Sequence, residues 1–273
     1  MNLRAAGPGW LFCPADRPER FAKAAAAADV VILDLEDGVA EADKPAARKA
    51  LRETPLDPDR TVVRINAAGT DEQARDLDAL ADTAYTTVML AKTESAAQVS
   101  ALAPRDVVAL IETPRGAVFA TEIAAAEGTV ALMWGAEDLV ATLGGSSSRQ
   151  ADGTYRDVAR HVRSTVLLAA SGFGRIALDA VHLDIRDIEG LQVEADDAAA
   201  VGFDGTVCIH PTQIPVVRRA YRPSEEKLDW ARRVLAAART ERGVFAFEGQ
   251  MVDSPVLKHA ETMLRRAGEA ASG

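Results

Sequence analysis

Eight short apolar runs alternate with alanine-rich stretches of helical period, and that alternation restricts the fold of this chain more than any other feature. The runs are Trp10 to Cys13, Val30 to Leu35, Thr61 to Ile65, Thr87 to Ala91, Asp106 to Ile111, Thr129 to Trp134, Arg175 to Leu178 and Gly205 to Ile209. Between them the period predicts helices over 20–28, 44–52, 72–81, 95–101, 114–126, 156–171 and 188–201. Strand and helix in strict alternation mark parallel βαβ units, and eight such units close a barrel. Pro18, Pro45 and Pro114 stand near helix starts, where a missing N–H costs nothing. The expectation is an α/β protein, a (β/α)8 TIM barrel over residues 1–220. Beyond Pro211 the pattern is helical, with helices over 225–242 and 255–267, so residues 221–273 read as a C-terminal helical extension.

The strands end in acid. Val30-Val31-Ile32-Leu33-Asp34-Leu35-Glu36-Asp37-Gly38 closes on carboxylates and a glycine, and Val107 to Glu112 and Val130 to Asp138 repeat the design. Parallel α/β folds build their sites at the carboxyl ends of strands, so the three tips predict one oxygen-rich pocket.

Composition excludes several classes of function. A chain of 273 residues that is 48% hydrophobic buries a large core, which excludes disorder as the dominant state. A formal net charge of −10 argues against broad affinity for nucleic acid or anionic lipid, both of which need a basic face. Two cysteines, Cys13 and Cys208, are too few for a disulfide scaffold and fit a reducing compartment. The first residues carry no sustained apolar segment, and no run of about 18 apolar residues occurs, which reads as a soluble cytoplasmic protein. No Walker loop, GxGxxG or serine-hydrolase elbow follows any strand.

Glu112 and Asp138 end two strands, so in a barrel both converge on one rim. Two hard carboxylates suit Mg²⁺ or Mn²⁺, and both residues also suit the starts of the helices that follow. Gly135-Ala136-Glu137 sets a glycine where strand passes into helix, which leaves backbone N–H groups for an anion such as a substrate carboxylate. Arg64 stands at the same height in Val62-Val63-Arg64-Ile65-Asn66, either to clamp a carboxylate or to pair with Glu36 or Asp37. Lys92, at the fourth tip, raises a Schiff-base aldolase, although an acidic setting opposes the loss of its proton. His210 has no second histidine or cysteine at ligand spacing and reads as a hydrogen-bonded residue. The insert Gly144 to Gly153 is either a lid or a surface loop.

Taken together, Leu33-Asp34-Leu35-Glu36-Asp37-Gly38-Val39 with Lys44 and Arg48, Val63-Arg64-Ile65-Asn66, Ile111-Glu112-Thr113-Pro114-Arg115-Gly116, Gly135-Ala136-Glu137-Asp138, and Gly202 to Gly205 with Ile209 to Ile214 resemble the citrate lyase β-subunit family. That family sits with malyl-CoA and citramalyl-CoA lyases in the HpcH/HpaI aldolase group. The resemblance implies a barrel, a homotrimer, and Mg²⁺-dependent breaking or forming of a carbon–carbon bond in a 3-hydroxyacyl-CoA, with CoA as part of the substrate. By matching position, Glu112 and Asp138 are the implied metal ligands, and Arg64 the substrate-binding cation. Glu36 and Asp37 are implied to support Arg64 and water on the metal. Gly249 to Val256 resembles the family segment whose aspartate enters the active site, which makes Asp253 a candidate acid or base. On the residues alone Asp253 is the N-cap of a last helix. Arg17, Arg20 and Lys44 are candidates for phosphate contacts. The chain departs from the family at Gly9-Trp10 and Pro14-Ala15, where Arg-Ser and Pro-Gly are common.

The function expected is an acyl-CoA lyase that releases acetyl-CoA or a homologue and an oxo acid from a citryl-, malyl-, citramalyl- or hydroxymethylglutaryl-type ester. Two rivals remain: a metal-dependent aldolase acting on free oxo acids without CoA, and a subunit that works only inside a larger lyase complex.

Overall fold

The structure, a computed structural model, describes residues 3–241 and 243–268. Arg242, the expected end of the first C-terminal helix, lies outside the described residues, as do the last residues of the expected extension. Eight strands, β1 (Gly9–Pro14), β2 (Val30–Asp34), β3 (Thr61–Ile65), β4 (Thr87–Leu90), β5 (Asp106–Ile111), β6 (Thr129–Trp134), β7 (Ile176–Asp179) and β8 (Gly205–Cys208), form a closed parallel barrel in sequence order. The ring shuts where β8 pairs with β1, with Gly9 opposite Thr206. The helices are α1 (Leu3–Ala6), α2 (Phe21–Ala27), α3 (Lys44–Glu53), α4 (Asp71–Ala81), α5 (Ala96–Ser100), α6 (Pro114–Val118), α7 (Ala120–Ala125), α8 (Ala136–Thr142), α9 (Asp157–Gly172), α10 (Ile188–Val201), α11 (Ile214–Tyr221), α12 (Glu225–Ala238) and α13 (Ser254–Arg266). The (β/α)8 barrel expected from the alternation is the fold. The helix expected over 114–126 breaks in two at Phe119, whose φ of −102° and ψ of 17° leave the helical path.

Strand parity decides what faces the barrel axis. Side chains alternate along a strand, and the buried inner cluster takes every second residue: Trp10, Val30 and Ile32, Val62, Met89, Val108 and Leu110, Ala131 and Met133, Ile176 and Leu178, and Val207. Two positions beyond Ile32, Val62, Leu110 and Met133 along the same faces stand Asp34, Arg64, Glu112 and Gly135. One periodicity therefore makes the apolar plug of the barrel and aims polar groups at its mouth. A register shift between Val107 and Val108 brings Leu110 level with Met133, so Glu112 and Gly135 continue the same row. Cys13 and Cys208 are buried, and burial pushes their thiols up to about 11 and about 12.

The chain divides into two compact units between Arg218 and Arg219, within α11. In the second unit α12 packs on α13 around Leu228, Ala231, Val234, Ala260 and Leu264. Between these helices lies a hairpin that the periodicity does not announce, β9 (Phe245–Phe247) and β10 (Gln250–Val252), joined through Glu248 and Gly249 at φ 51° and 80°. Two consecutive residues in the left-handed region make the tight two-residue turn that matches strand twist. Among the described residues no helix is long and apolar enough to cross a membrane.

Candidate active site at the barrel mouth

The acidic run after β2 is a folded device. Asp34 accepts from the amides of Glu36 and Gly38, each at 2.9 Å, so the chain turns around its carboxylate. A Cβ on Gly38 would stand 2.2 Å from Asp34 Oδ2, which is why glycine follows the acids. The remaining lone pairs of Asp34 take Arg64, Nε to Oδ1 at 2.7 Å and Nη2 to Oδ2 at 2.6 Å. Arg64 Nη1 reaches Glu36 Oε2 at 3.1 Å, and the guanidinium lies 4.5 Å from the centre of the Phe12 ring. The pairing expected with Glu36 or Asp37 is thus made chiefly with Asp34, a residue the sequence reading did not single out for the site.

Lys44 is corrected by the structure. Its ammonium is buried and donates to Leu35 O at 2.7 Å, Glu36 O at 3.2 Å and Asn66 Oδ1 at 2.8 Å, which uses all three of its protons. It holds the loop that carries Glu36 and has no donor left for a substrate or phosphate. Asn66 passes this contact on to the buried Asp76, which Arg48 also grips through Nε at 2.7 Å.

Glu112 is 3% exposed and accepts from the amide of Lys92 at 2.9 Å. Burial pushes its carboxyl up to about 8; the charges of Asp138 and Glu36 act in the same direction, and Lys92 and Arg64 oppose them. Thr113 caps α6 by accepting from Gly116 N at 3.0 Å, so Glu112 itself does not cap that helix. Gly135 is small for a reason, since a Cβ there would stand 3.0 Å from both Cβ and Oε2 of Glu112. Its own N–H bonds to Ile111 O, and as a glycine N-cap it gives the amides of Ala136, Glu137 and Asp138 no side-chain acceptor.

Lys92 joins the tips. Its ammonium pairs with Glu36 and lies 3.1 Å from Asp37 Oδ2, 3.5 Å from Asp138 Oδ1 and 4.0 Å from Glu112 Oε1. Burial alone would loosen its proton, but the bond from Glu36 and the fields of Glu112 and Asp138 more than reverse that and hold it above the ordinary lysine range. A Schiff-base role needs the opposite shift. Glu112 and Asp138 therefore converge on one cationic point. Among the described residues no three acidic, histidine or cysteine side chains form a ready cage for a metal. A pair of hard carboxylates is what Mg²⁺ accepts when water and substrate oxygens complete its shell, so the donor set fits that ion.

Glu137 points elsewhere. It accepts from Ser148 Oγ at 2.5 Å and lines a cavity of about 810 Å³ with Arg149, Tyr155, Arg163, Asp179 and His182. This cavity shares Glu137 with the rim but is not lined by Arg64, Lys92, Glu112 or Asp138. The insert over 144–153 contributes Ser147, Ser148, Arg149, Asp152 and Gly153 to its wall, and Arg149 stacks 3.9 Å from the centre of the Tyr155 ring. His210 caps its own turn, accepting from Thr212 N at 3.3 Å. Asp253, in the second unit, caps α13 by accepting from Val256 N at 3.3 Å.

The sequence profile of the HpcH/HpaI aldolase/citrate lyase family matches residues 9–211. A citrate lyase subunit beta-like protein of Mycobacterium tuberculosis is 85% identical over 272 residues, covering 100% of both chains. The mitochondrial citramalyl-CoA lyase of Homo sapiens is 31% identical over 274 residues, 88% of this chain and 78% of that one. A crystal structure of CitE from Mycobacterium tuberculosis in complex with magnesium, acetoacetate and coenzyme A superposes with a TM-score of 0.95 at 84% identity, over 97% of this chain and 100% of that one.

Proposed function

Because the chain belongs to the HpcH/HpaI aldolase/citrate lyase family, we propose that it is a Mg²⁺-dependent carbon–carbon lyase that cleaves a 3-hydroxyacyl-CoA into acetyl-CoA, or a close homologue, and an oxo acid. The observation that carries this reading is the approach of Glu112, just past the end of β5, and Asp138, in the first turn of α8, to a single cation beside Arg64. The magnesium, acetoacetate and coenzyme A held by the 84% identical mycobacterial chain support the same ligands here.

In this reading Glu112 and Asp138 hold the ion. When bound, it supplies Lewis-acid polarisation and a template for a hydroxyl or keto oxygen and a carboxylate oxygen. The amides after Gly135 receive the carboxylate of the oxo acid. Cleavage passes the hydroxyl proton to water, turns that oxygen into a carbonyl and sends the electrons of the carbon–carbon bond into the enolate of the acyl thioester. Arg64, fixed by Asp34 and Glu36, stabilises the oxygen charge that develops. Asp253 exchanges the proton at the enolate carbon, which becomes the methyl group of acetyl-CoA. Residues 221–273 contribute to a homotrimer and to its active site, and the enzyme works in the cytoplasm.

The test is a panel of citryl-, malyl-, citramalyl- and hydroxymethylglutaryl-CoA incubated with enzyme and Mg²⁺, with oxo-acid release followed by a coupled dehydrogenase. Release that EDTA abolishes is the expected result. Release from free hydroxy acids alone would favour the CoA-independent aldolase, and no release from any ester would favour a subunit that needs partners.

A further inference from the structure

We propose that Lys92 is a built-in counter-cation of the barrel mouth: its ammonium holds Glu112 and Asp138 together and gives them up when a divalent cation binds. The inference rests on the reading of Glu112 and Asp138 as the metal pair. Lys92 Nζ meets carboxylates from three separate segments, Glu36 and Asp37 after β2, Glu112 after β5 and Asp138 in the first turn of α8. Among the described residues the ion pairs of Asp34, Glu36, Asp37, Glu112 and Asp138 at this mouth are made with Arg64 and Lys92, five carboxyl groups to two cations. Repulsion among these acids would otherwise spread them, and the ammonium opposes that spread.

The backbone argues that this side chain is kept for a purpose. Lys92 has φ 51°, a left-handed conformation that glycine adopts freely and side chains rarely do. Strain of this kind persists where surrounding contacts over-determine it. Here the turn aims the Lys92 amide at Glu112 Oε1, 2.9 Å away, while the side chain spans to Glu36 and Asp37. Met and Arg at position 92 keep the backbone N–H that bonds Glu112, so these substitutions isolate the ammonium. A divalent ion on Glu112 and Asp138 and an ammonium 4.0 and 3.5 Å from the same oxygens repel each other. Lys92 is 30% exposed at the side chain and holds Glu36 and Asp37 more closely, so it can withdraw toward them and leave the metal pair free.

Mn²⁺ binding without substrate, read from the electron paramagnetic resonance signal of the free ion, tests this in wild type, Lys92→Met, Lys92→Arg and Glu112→Gln. Lys92→Met is expected to bind Mn²⁺ about tenfold tighter, because a unit charge near the ion is gone. Its metal-free melting temperature is expected to fall and Mn²⁺ to restore it, while Lys92→Arg behaves like wild type. If Glu112→Gln loses Mn²⁺ and Lys92→Met binds no tighter than wild type, the counter-cation role is overturned and the metal pair stands. If Glu112→Gln binds Mn²⁺ like wild type, the metal pair is wrong and the competition falls with it. A second readout covers a Lys92→Met protein that does not fold: in wild type labelled at lysine ¹³Cε, the resonance missing from Lys92→Arg should move on addition of Mg²⁺. An unmoved resonance overturns the proposal.

Discussion

Asp34 and Arg64 are direct register partners on neighbouring strands and meet in a two-point ion pair, Nε to Oδ1 at 2.7 Å and Nη2 to Oδ2 at 2.6 Å. Both are well buried, with side chains 3% and 12% exposed. A guanidinium fork on a carboxylate fixes direction as well as charge. Since Asp34 also takes the amides of Glu36 and Gly38, one carboxylate sets both the acidic loop and the aim of the cation.

Substitution of either partner should therefore cost turnover through orientation. Arg64→Lys keeps the charge and loses the fork, and a fall of about 10²-fold in kcat/KM is expected, the scale of one lost stabilising donor. Asp34→Asn keeps acceptor and shape on one side only, and about a tenfold fall is expected. Steady-state assays on whichever CoA ester proves active decide this. An Asp34→Asn enzyme at wild-type rates would show that Arg64 is aimed by Glu36 alone.

Gly135→Ala tests the row in which Glu112 and Gly135 face each other. The added Cβ would stand 3.0 Å from Cβ and Oε2 of Glu112, so the carboxylate must shift by a few tenths of an ångström. Small displacements of a ligand weaken metal binding more than they weaken the fold. Calorimetry is expected to give several-fold weaker Mn²⁺ binding with a melting temperature within a few degrees of wild type. Unchanged affinity would mean that Glu112 does not need this position.

How much of this was legible beforehand follows from where periodicity operates. Inside strands it is strict, so eight runs yielded the barrel, and parity alone could have placed Asp34 beside Arg64, two residues past Ile32 and Val62 on the inner face. It ends where strands end. The left-handed turn at Lys92 decides that one ammonium meets four carboxylates, and no residue pattern marks that turn. Lys44 was not legible for a related reason: a cation near acidic tips reads as a candidate phosphate contact, whereas its partners are two backbone carbonyls and the Asn66 amide oxygen, brought to it only by the fold of the loop. The cavity around Arg149, Tyr155 and His182 draws on residues that are scattered along the chain and carry no motif.

His182 gives a pH dependence whose sign is fixed by its partner. Its bond with Glu194, Nδ1 to Oε2 at 2.9 Å, raises its affinity for a proton against the opposing effect of burial. The folded value lies above the ordinary 6.5, so this contribution to stability is fully present below pH 6.5 and is lost as pH rises through the raised value. Glu194 is displaced downward: burial would raise it, but His182 and Arg149 more than compensate. Its share is present above the ordinary 4.5 and is lost as pH falls through its lowered value. Urea unfolding of wild type and His182→Gln across this range should give the largest difference between the lowered Glu194 value and 6.5, and a shrinking one as pH rises through the raised His182 value. A difference that grows with pH would contradict the pairing.

Asp253 poses a harder question, because its observed contact and its proposed chemistry use the same carboxylate. As the N-cap of α13 it accepts from Val256 N, and Ala at such a position costs about 1 kcal/mol. Loss of activity in Asp253→Ala would therefore mix a frayed helix with a missing acid. Asn caps as well as Asp does and has no proton to exchange, so Asp253→Asn separates the two roles. Its stability in urea is expected to stay within about 0.5 kcal/mol of wild type. Exchange of the acetyl-CoA methyl protons into deuterium oxide, followed by NMR with Mg²⁺ and an oxo-acid analogue present, is expected to fall by about 10²-fold or more. Normal exchange in a stable Asp253→Asn protein would leave Asp253 as a cap and move the acid–base role to another group, with Asp37, 61% exposed at its side chain and bound to Lys92, the next to substitute.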